Sequence, residues 1–273
     1  MGVFAAVQMT SGPDVGANLA IAQPLIAQAA ERGAAVVLLP ENFNFIGRRD
    51  SDKRDIAEVP GSGPTQDFLA AAAVRHGITL IGGTQPLRSE AEDGRVTNST
   101  LVYDPAGQCV ARYDKMHLFD VDVPGKPGES YRESAHVAPG RQVVTVDTPI
   151  GCVGLSVCYD MRFPELYRRL VMAGAQILVM PAAFTVPTGR AHWATLLRAR
   201  AIENLSYVFA AAQSGVHPNG RETYGDTIAI DPWGRVLQRL PRGSGVITAN
   251  VDLDALRRVR AEFPALSNRV LDV

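Results

Sequence analysis

Short apolar runs alternate with amphipathic stretches along nearly all of the chain. Clusters of Val, Ile, Leu and Ala predict strands over Val3–Met9, Ala35–Leu39, Ile78–Gly82, Ser99–Tyr103, Val143–Val146, Cys152–Val157, Gln176–Met180, Tyr207–Ala212, Thr227–Ile230 and Val246–Val251. Several are continuously apolar, the pattern of strands covered on both faces. Helical spacing predicts Gly16–Arg32, Thr65–Arg75, Pro164–Ala173, Ala191–Glu203 and Leu253–Arg260. Gly33 and Gly77 read as C-terminal stops and Pro164 as a first-turn proline. The order is β-α-β-α-β-β, a Gly/Pro-rich stretch, then β-β-α-β-α-β-β-β-α. The halves share a rough plan without sequence repetition, and no linker divides them. The expectation is one α/β domain over residues 1–273, built of stacked sheets with outer helices. Residues 120–141, DVDVPGKPGESYRESAHVAPGR, are too rich in Pro and Gly for a core element. A loop of that length inside a compact domain is often functional.

Composition narrows the classes. At 273 residues and 46% hydrophobic content the chain can bury a large core, and a net charge of −1 implies no face for nucleic acid or acidic membranes. The first residues, MGVFAAVQMTSGPD, lack a basic region followed by an apolar stretch, and no apolar run reaches membrane-spanning length. Cys109, Cys152 and Cys158 are too few and odd in number for a disulfide framework. Asn98 and Asn204 stand in glycosylation sequons that carry little meaning without a secretion signal. A cytoplasmic protein is expected. Of 27 basic residues only Lys53, Lys115 and Lys126 are lysine, so a lysine here hints at a lysine-specific role.

The chain has no Walker-type phosphate loop, no dinucleotide fingerprint and no G-x-S-x-G elbow. Its histidines, at 76, 117, 136, 192 and 217, show no metal spacing, and no Cys-x-x-Cys occurs. No metal or other cofactor is therefore expected. Three polar residues end apolar or strand-like runs: Glu41 closes AAVVLLPE, Lys115 follows QCVARYDK, and Cys158 closes GCVGLSVC. Strand ends are where stacked sheets gather distant side chains into one pocket. Taken singly, Glu41 reads as a loop carboxylate and Lys115 as a solvated charge. Cys158 reads either as a small buried hydrophobe or as a nucleophile before a helix start. Together they supply the base, cation and nucleophile that amide hydrolysis without a metal requires.

The segments LLPENF, YDKMHLFDVDVPG, Glu133–Ser134, CYDMRFPEL, TGRAHWATLLRARAIEN and YGDTIAIDPWG resemble the nitrilase superfamily of carbon–nitrogen hydrolases, and within it the Nit branch. The match runs from about Val3 to Asn268. The resemblance implies a four-layer α-β-β-α sandwich, a homodimer or higher homo-oligomer, and a cysteine-dependent amidase acting on a small-molecule linear amide. It places Glu41 as the base, Lys115 as the lysine, Cys158 as the nucleophile and Glu133 as a second glutamate beside them. Deaminated glutathione is the first substrate it suggests and 2-oxoglutaramate the alternative. The residue types then give a course: Glu41 takes the Cys158 proton, the sulfur attacks, and Lys115 with the Tyr159 backbone N–H stabilises the oxyanion.

Other motif residues have plainer expectations. Asp160 and Arg162 read as capping and ion-pairing groups of the Pro164 helix, with substrate contact as the alternative, His192 and Trp193 as packing residues, and Cys152 as core. His117 offers a papain-like Cys–His pairing as a second arrangement. The loop AAFTVPTGRAHW and the 120–141 segment are candidate walls for the leaving group, with Phe184 and Arg190 as candidate substrate contacts. A silent binding or scaffold protein on the same fold is the alternative of another class.

Overall fold

In strand β1 (Gly2–Gln8), Phe4 and Ala6 pack into one apolar cluster, while Ala5 and Val7 pack into another. Strand β2 (Ala34–Leu38) repeats the alternation, with Val36 and Leu38 on one face and Val37 on the other. Successive strand side chains point to opposite faces, so a run apolar at every position is a strand buried on both. This is why the first strands read as continuous hydrophobic stretches.

The computed structural model describes residues 1–89, 93–123 and 130–271. The further strands are β3 (Thr79–Ile81), β4 (Gln85–Arg88), β5 (Val96–Tyr103), β6 (Cys109–Asp114), β7 (Asp120–Asp122), β8 (Ser130–Arg132), β9 (Thr145–Thr148), β10 (Gly151–Leu155), β11 (Ile177–Ala182), β12 (Tyr207–Ala212), β13 (Ser214–Val216), β14 (Glu222–Tyr224), β15 (Thr227–Ile230), β16 (Val236–Leu240) and β17 (Gly245–Val251). The helices are α1 (Val15–Glu31), α2 (Pro64–His76), α3 (Pro164–Met172), α4 (Val186–Asn204) and α5 (Leu253–Glu262). One sheet runs β17-β1-β2-β3-β5-β4, with β6 paired to β5, and the other runs β16-β15-β12-β11-β10-β9. The centre of each is parallel, β1-β2-β3 in the first and β10-β11-β12 in the second.

The sheets face each other across the larger cluster, where the rings of Phe4 and Phe209 stack at 4.1 Å. Ile26 of α1 and Leu69 of α2 cover the outer face of the first sheet. Leu166 and Leu170 of α3 and Trp193 and Leu197 of α4 cover the second. The result is the four-layer α-β-β-α sandwich.

Several expectations needed revision. Helix α4 begins at Val186 rather than Ala191, because Pro187 occupies its first turn and Gly189 lets it lie against Tyr224, where a Cβ would come within 2.2 Å. Strands β4 and β16 carry Pro, Arg and other polar residues that hid them, while β6 is the strand-like run before Lys115 and pairs with β5. Cys152 is half-buried on β10 rather than core. The 120–141 stretch contains the paired strands β7 and β8; residues 124–129, Lys126 among them, lie outside the described residues.

Candidate active site

The groups singled out at strand ends come together where the two sheets meet. Glu41 stands in the turn after β2, and Lys115 directly follows β6. Glu133 opens a short 3-10 turn after β8, and Cys158 opens another after β10. Lys115 Nζ donates to Glu41 Oε1 at 3.0 Å and to Glu133 Oε2 at 2.8 Å. Glu41 and Lys115 are 3% and 2% exposed, so these charges are held by one another rather than by water.

Backbone groups fix each member. Ala183, just after β11, donates its N–H to Glu41 Oε2 at 2.9 Å, and Phe119 donates to Glu133 Oε2 at 2.7 Å. The Lys115 N–H bonds the Asn98 carbonyl at 3.0 Å, and the Lys115 carbonyl accepts from Gly140 at 2.9 Å. Gly83 lies so close beneath the Glu41 turn that a Cβ there would stand 2.1 Å from the Pro40 carbonyl oxygen. The Cys158 backbone has φ of +49°, a left-handed conformation that costs a non-glycine residue about 1–2 kcal/mol. Strain of this kind concentrates where a side chain must be aimed.

Asp160 over-determines that turn. Completely buried, it accepts from Val157 N at 2.8 Å, Tyr113 Oη at 2.7 Å and His117 N at 3.0 Å, and it meets His117 Nδ1 at 2.7 Å. Asp160 therefore caps the turn that Cys158 opens rather than α3, whose N-cap, Phe163, makes no side-chain bond. His117 is committed to Asp160 and stacks on Phe163 at 3.7 Å, so the charged neighbours of Cys158 are Glu41 and Lys115, not a histidine.

The electrostatics follow from burial and contact. Burial, and then the charge of Glu41 beside it, push the Cys158 thiol well above its ordinary value; Lys115 and a backbone hydrogen bond from Ala183 pull the other way but lose. Burial alone works to lower Lys115, yet the carboxylates of Glu133 and Glu41 hold it well above the usual lysine range. Burial works to raise Glu133, and Lys115 and then Lys53 outweigh it, keeping that carboxyl below its ordinary range. Ionisation of the Cys158 thiol is thus opposed by its surroundings, while the charge on Lys115 is favoured by the two glutamates that hold it.

A cleft of about 610 Å³ opens onto these groups. Tyr131, Glu133, His136 and Val137 of the 120–141 segment line it, as do Ala183, Phe184, Thr185 and Thr188 of the segment after β11. Tyr159 and Arg162 contribute from the Cys158 turn. Arg190 does not reach it: it is exposed on α4 and borders a separate depression with Tyr224, Asp226 and Arg239. Trp193 packs completely buried, donating to the Asp226 carbonyl at 2.7 Å, and His192 meets Arg162 at the surface at 3.2 Å. Among the described residues no group of His, Cys, Asp and Glu is placed to hold a metal ion.

Two participants escaped the sequence. Asn98, read as a sequon, is 3% exposed on β5 and donates from Nδ2 to Glu41 Oε1 at 3.1 Å and to Glu133 Oε1 at 3.4 Å. The available signal was a run of polar residues, Thr97 to Thr100, inside a strand buried at all eight positions. Arg221 lines the cleft from the β13–β14 connection, and nothing in the sequence set it apart from other arginines.

Comparison with known proteins agrees with this arrangement. The profile of the carbon-nitrogen hydrolase family matches residues 4–261. A deaminated glutathione amidase of Synechocystis sp. is 44% identical over 268 residues, 97% of each chain. The crystal structure of the Caenorhabditis elegans NitFhit protein superposes with a TM-score of 0.88 at 39% identity; it covers 98% of this chain, which spans 65% of that longer one. Saccharomyces cerevisiae Nit3, a member of branch 10 of the nitrilase superfamily, superposes with a TM-score of 0.86 at 31% identity, over 96% of this chain and 94% of its own.

Proposed function

The chain belongs to the carbon–nitrogen hydrolase family and is an amidase, and we propose that its substrate is deaminated glutathione, cleaved to 2-oxoglutarate and cysteinylglycine. The observation that carries the mechanism is the Lys115 ammonium held between Glu41 and Glu133 in the cleft that the buried Cys158 also lines. As the sulfur attacks the amide carbon, its proton passes to Glu41. The developing oxyanion is met by the Lys115 ammonium and the Tyr159 backbone N–H, and one such positioned donor is worth roughly 3–4 kcal/mol. Glu41 then returns the proton to the departing amine, leaving a thioester on Cys158. Water deprotonated by Glu41 hydrolyses that thioester, and the thiol is restored. Glu133 works through position: it holds Lys115 by charge and hydrogen bond without moving a proton.

The substrate assignment rests on the relatives' activity and on the charge of the cleft. Deaminated glutathione carries a carboxylate at each end, and the basic side chains of Lys53, Arg162 and Arg221 line the cleft, with Asp50 opposing. No helix among the described residues is long and apolar enough to cross a membrane. A cytoplasmic location and a homodimer or higher homo-oligomer belong to the same proposal. Mass spectrometry of the products, with kcat/KM for deaminated glutathione and 2-oxoglutaramate, tests it. A preference for 2-oxoglutaramate would make the protein an ω-amidase, and turnover of neither would leave only the amidase class.

A further inference from the structure

We infer that Arg221 is the specificity residue for the leaving group, and that its guanidinium receives the terminal carboxylate of the departing cysteinylglycine. This rests on the functional reading above and extends it to one side chain. Among the described residues four basic side chains line the cleft; Lys115 is occupied by Glu41 and Glu133, and the charge of Lys53 acts on Glu133. Arg162 belongs to the nucleophile's turn, where it meets His192 and lies 5.6 Å from the Tyr159 ring and 5.5 Å from the Phe184 ring.

Arg221 differs in place and in what it lacks. Its Nη2 donates to the Ala183 carbonyl at 2.7 Å, and its guanidinium lies 5.1 Å from the centre of the Tyr131 ring. Its Nε is buried and has no hydrogen-bond partner, which sets it apart; like Lys53 and Arg162 it forms no ion pair with a carboxylate among the described residues. A buried N–H of a permanent cation without an acceptor is a cost that folding leaves unmet. Arg221 nevertheless lines the cleft with a charge that no protein carboxylate among the described residues answers, and the arginine fork suits a carboxylate.

The direction of departure assigns that anion to the leaving half. The amine takes its proton from Glu41, so it leaves on the Glu41 side of the cleft. Glu41 Oε2 accepts from the Ala183 N–H, and Arg221 donates to the carbonyl of that same Ala183. From the scissile nitrogen, cysteinylglycine extends two residues, about 7 Å at ~3.3–3.6 Å per residue. A tail of that length passes from Glu41 over Ala183 toward Arg221. 2-Oxoglutaramate, whose leaving group is ammonia, has no such tail.

The test compares three substrates, namely deaminated glutathione, its C-terminal glycinamide analogue and 2-oxoglutaramate, on the wild-type enzyme, Arg221→Lys and Arg221→Met. Wild type should lose about 10- to 100-fold in kcat/KM, mainly through KM, when the terminal carboxylate becomes an amide. Arg221→Met should show the same loss with the natural carboxylate and almost no further loss with the amide. Its kcat/KM for 2-oxoglutaramate should fall far less. Arg221→Lys, which keeps the charge without the fork, should lie between. A wild-type enzyme indifferent to the terminal amide overturns the inference without any variant. An Arg221→Met enzyme equally impaired on all three substrates also overturns it, because Arg221 would then act on Ala183 and the reaction centre. Failure of the wild type to turn over deaminated glutathione overturns the substrate assignment itself, and this inference with it.

Discussion

The side-chain amide of Asn98 donates to the carboxylate of Glu41 at 3.1 Å, from a strand interior where only 3% of the asparagine is exposed. The same nitrogen reaches Glu133, so the amide is oriented without ambiguity: turned over, its oxygen would face two carboxylates. Asn98→Ala should lower kcat by about 10- to 100-fold, the worth of a charge-assisted hydrogen bond of ~1.5–3 kcal/mol. Asn98→Asp keeps the shape but adds a third carboxylate to the pair, and should be the more damaging. Steady-state kinetics on both variants, with circular dichroism to check folding, decides; equal effects would remove Asn98 from the electrostatic account.

Charge and geometry separate at Lys115 and Glu41. Lys115→Arg keeps the positive charge but forces a broad planar group between Glu41 and Glu133, where a point-like ammonium sits at 3.0 and 2.8 Å. Glu41→Gln keeps the outline and removes the base. Each should cost more than tenfold in kcat, that is more than about 1.4 kcal/mol in the barrier. A variant above a tenth of wild-type activity would strip that residue of its assigned role.

Burial and Glu41 hold the Cys158 thiol protonated at neutral pH. The ultraviolet absorption of a thiolate should therefore be missing from the difference spectrum of wild type minus Cys158→Ala near pH 7. Cys158→Ala should be inactive and folded, and a substrate-sized acyl adduct should be trapped on Cys158 in the wild type. A standing thiolate band would show that proton transfer precedes attack, and an active alanine variant would end the mechanism.

Gly83 has φ of +53°, and a side chain there would meet the carbonyl of Pro40, the residue before Glu41. Gly83→Ala should lose more than the ~1 kcal/mol of backbone strain alone, together with activity. Gly33→Ala provides the control, since Gly33 has φ of +80° with open space around its missing Cβ. Thermal melting of the two variants isolates the collision from the backbone cost; indistinguishable melting points would rule the collision out.

His217 is 1% exposed, with Nδ1 2.8 Å from the Ser11 carbonyl and Nε2 2.8 Å from the Thr223 hydroxyl. That pairing suits one neutral tautomer, and burial lowers the ring below its ordinary 6.5. The unfolded chain takes up the proton first as pH falls. The contribution of His217 to stability is accordingly complete above 6.5 and is lost as pH descends from there toward the folded value, by at most ~1.4 kcal/mol per pH unit. Melting temperatures from pH 7.5 to 5.5 should fall more steeply for wild type than for His217→Gln. Parallel curves would exclude the histidine as the source.

The sequence disclosed what burial on two faces imprints. Tyr207–Ala212 and Thr227–Ile230 are delimited to the residue because every position in them is buried. Strand β16 stayed hidden because its residues, VLQRL, are mostly exposed at a sheet edge and carry no apolar alternation. Glu41, Lys115 and Cys158 were legible because strand ends interrupt apolar runs. Glu133 follows a Gly/Pro-rich segment with no such contrast and was visible only through family resemblance. Asn98 and Arg221 gain their meaning from partners far along the chain, Glu41 and Ala183, and pairings of that kind leave no local trace.

The ammonium shared by Glu41 and Glu133 leaves the cleft floor with a formal charge of −1. What arrives there is an uncharged amide carbonyl. What hydrolysis of the thioester leaves there is the same carbon as a carboxylate. The product carboxylate therefore competes with Glu41 and Glu133 for the one ammonium on the floor, a competition that the uncharged amide it came from does not enter.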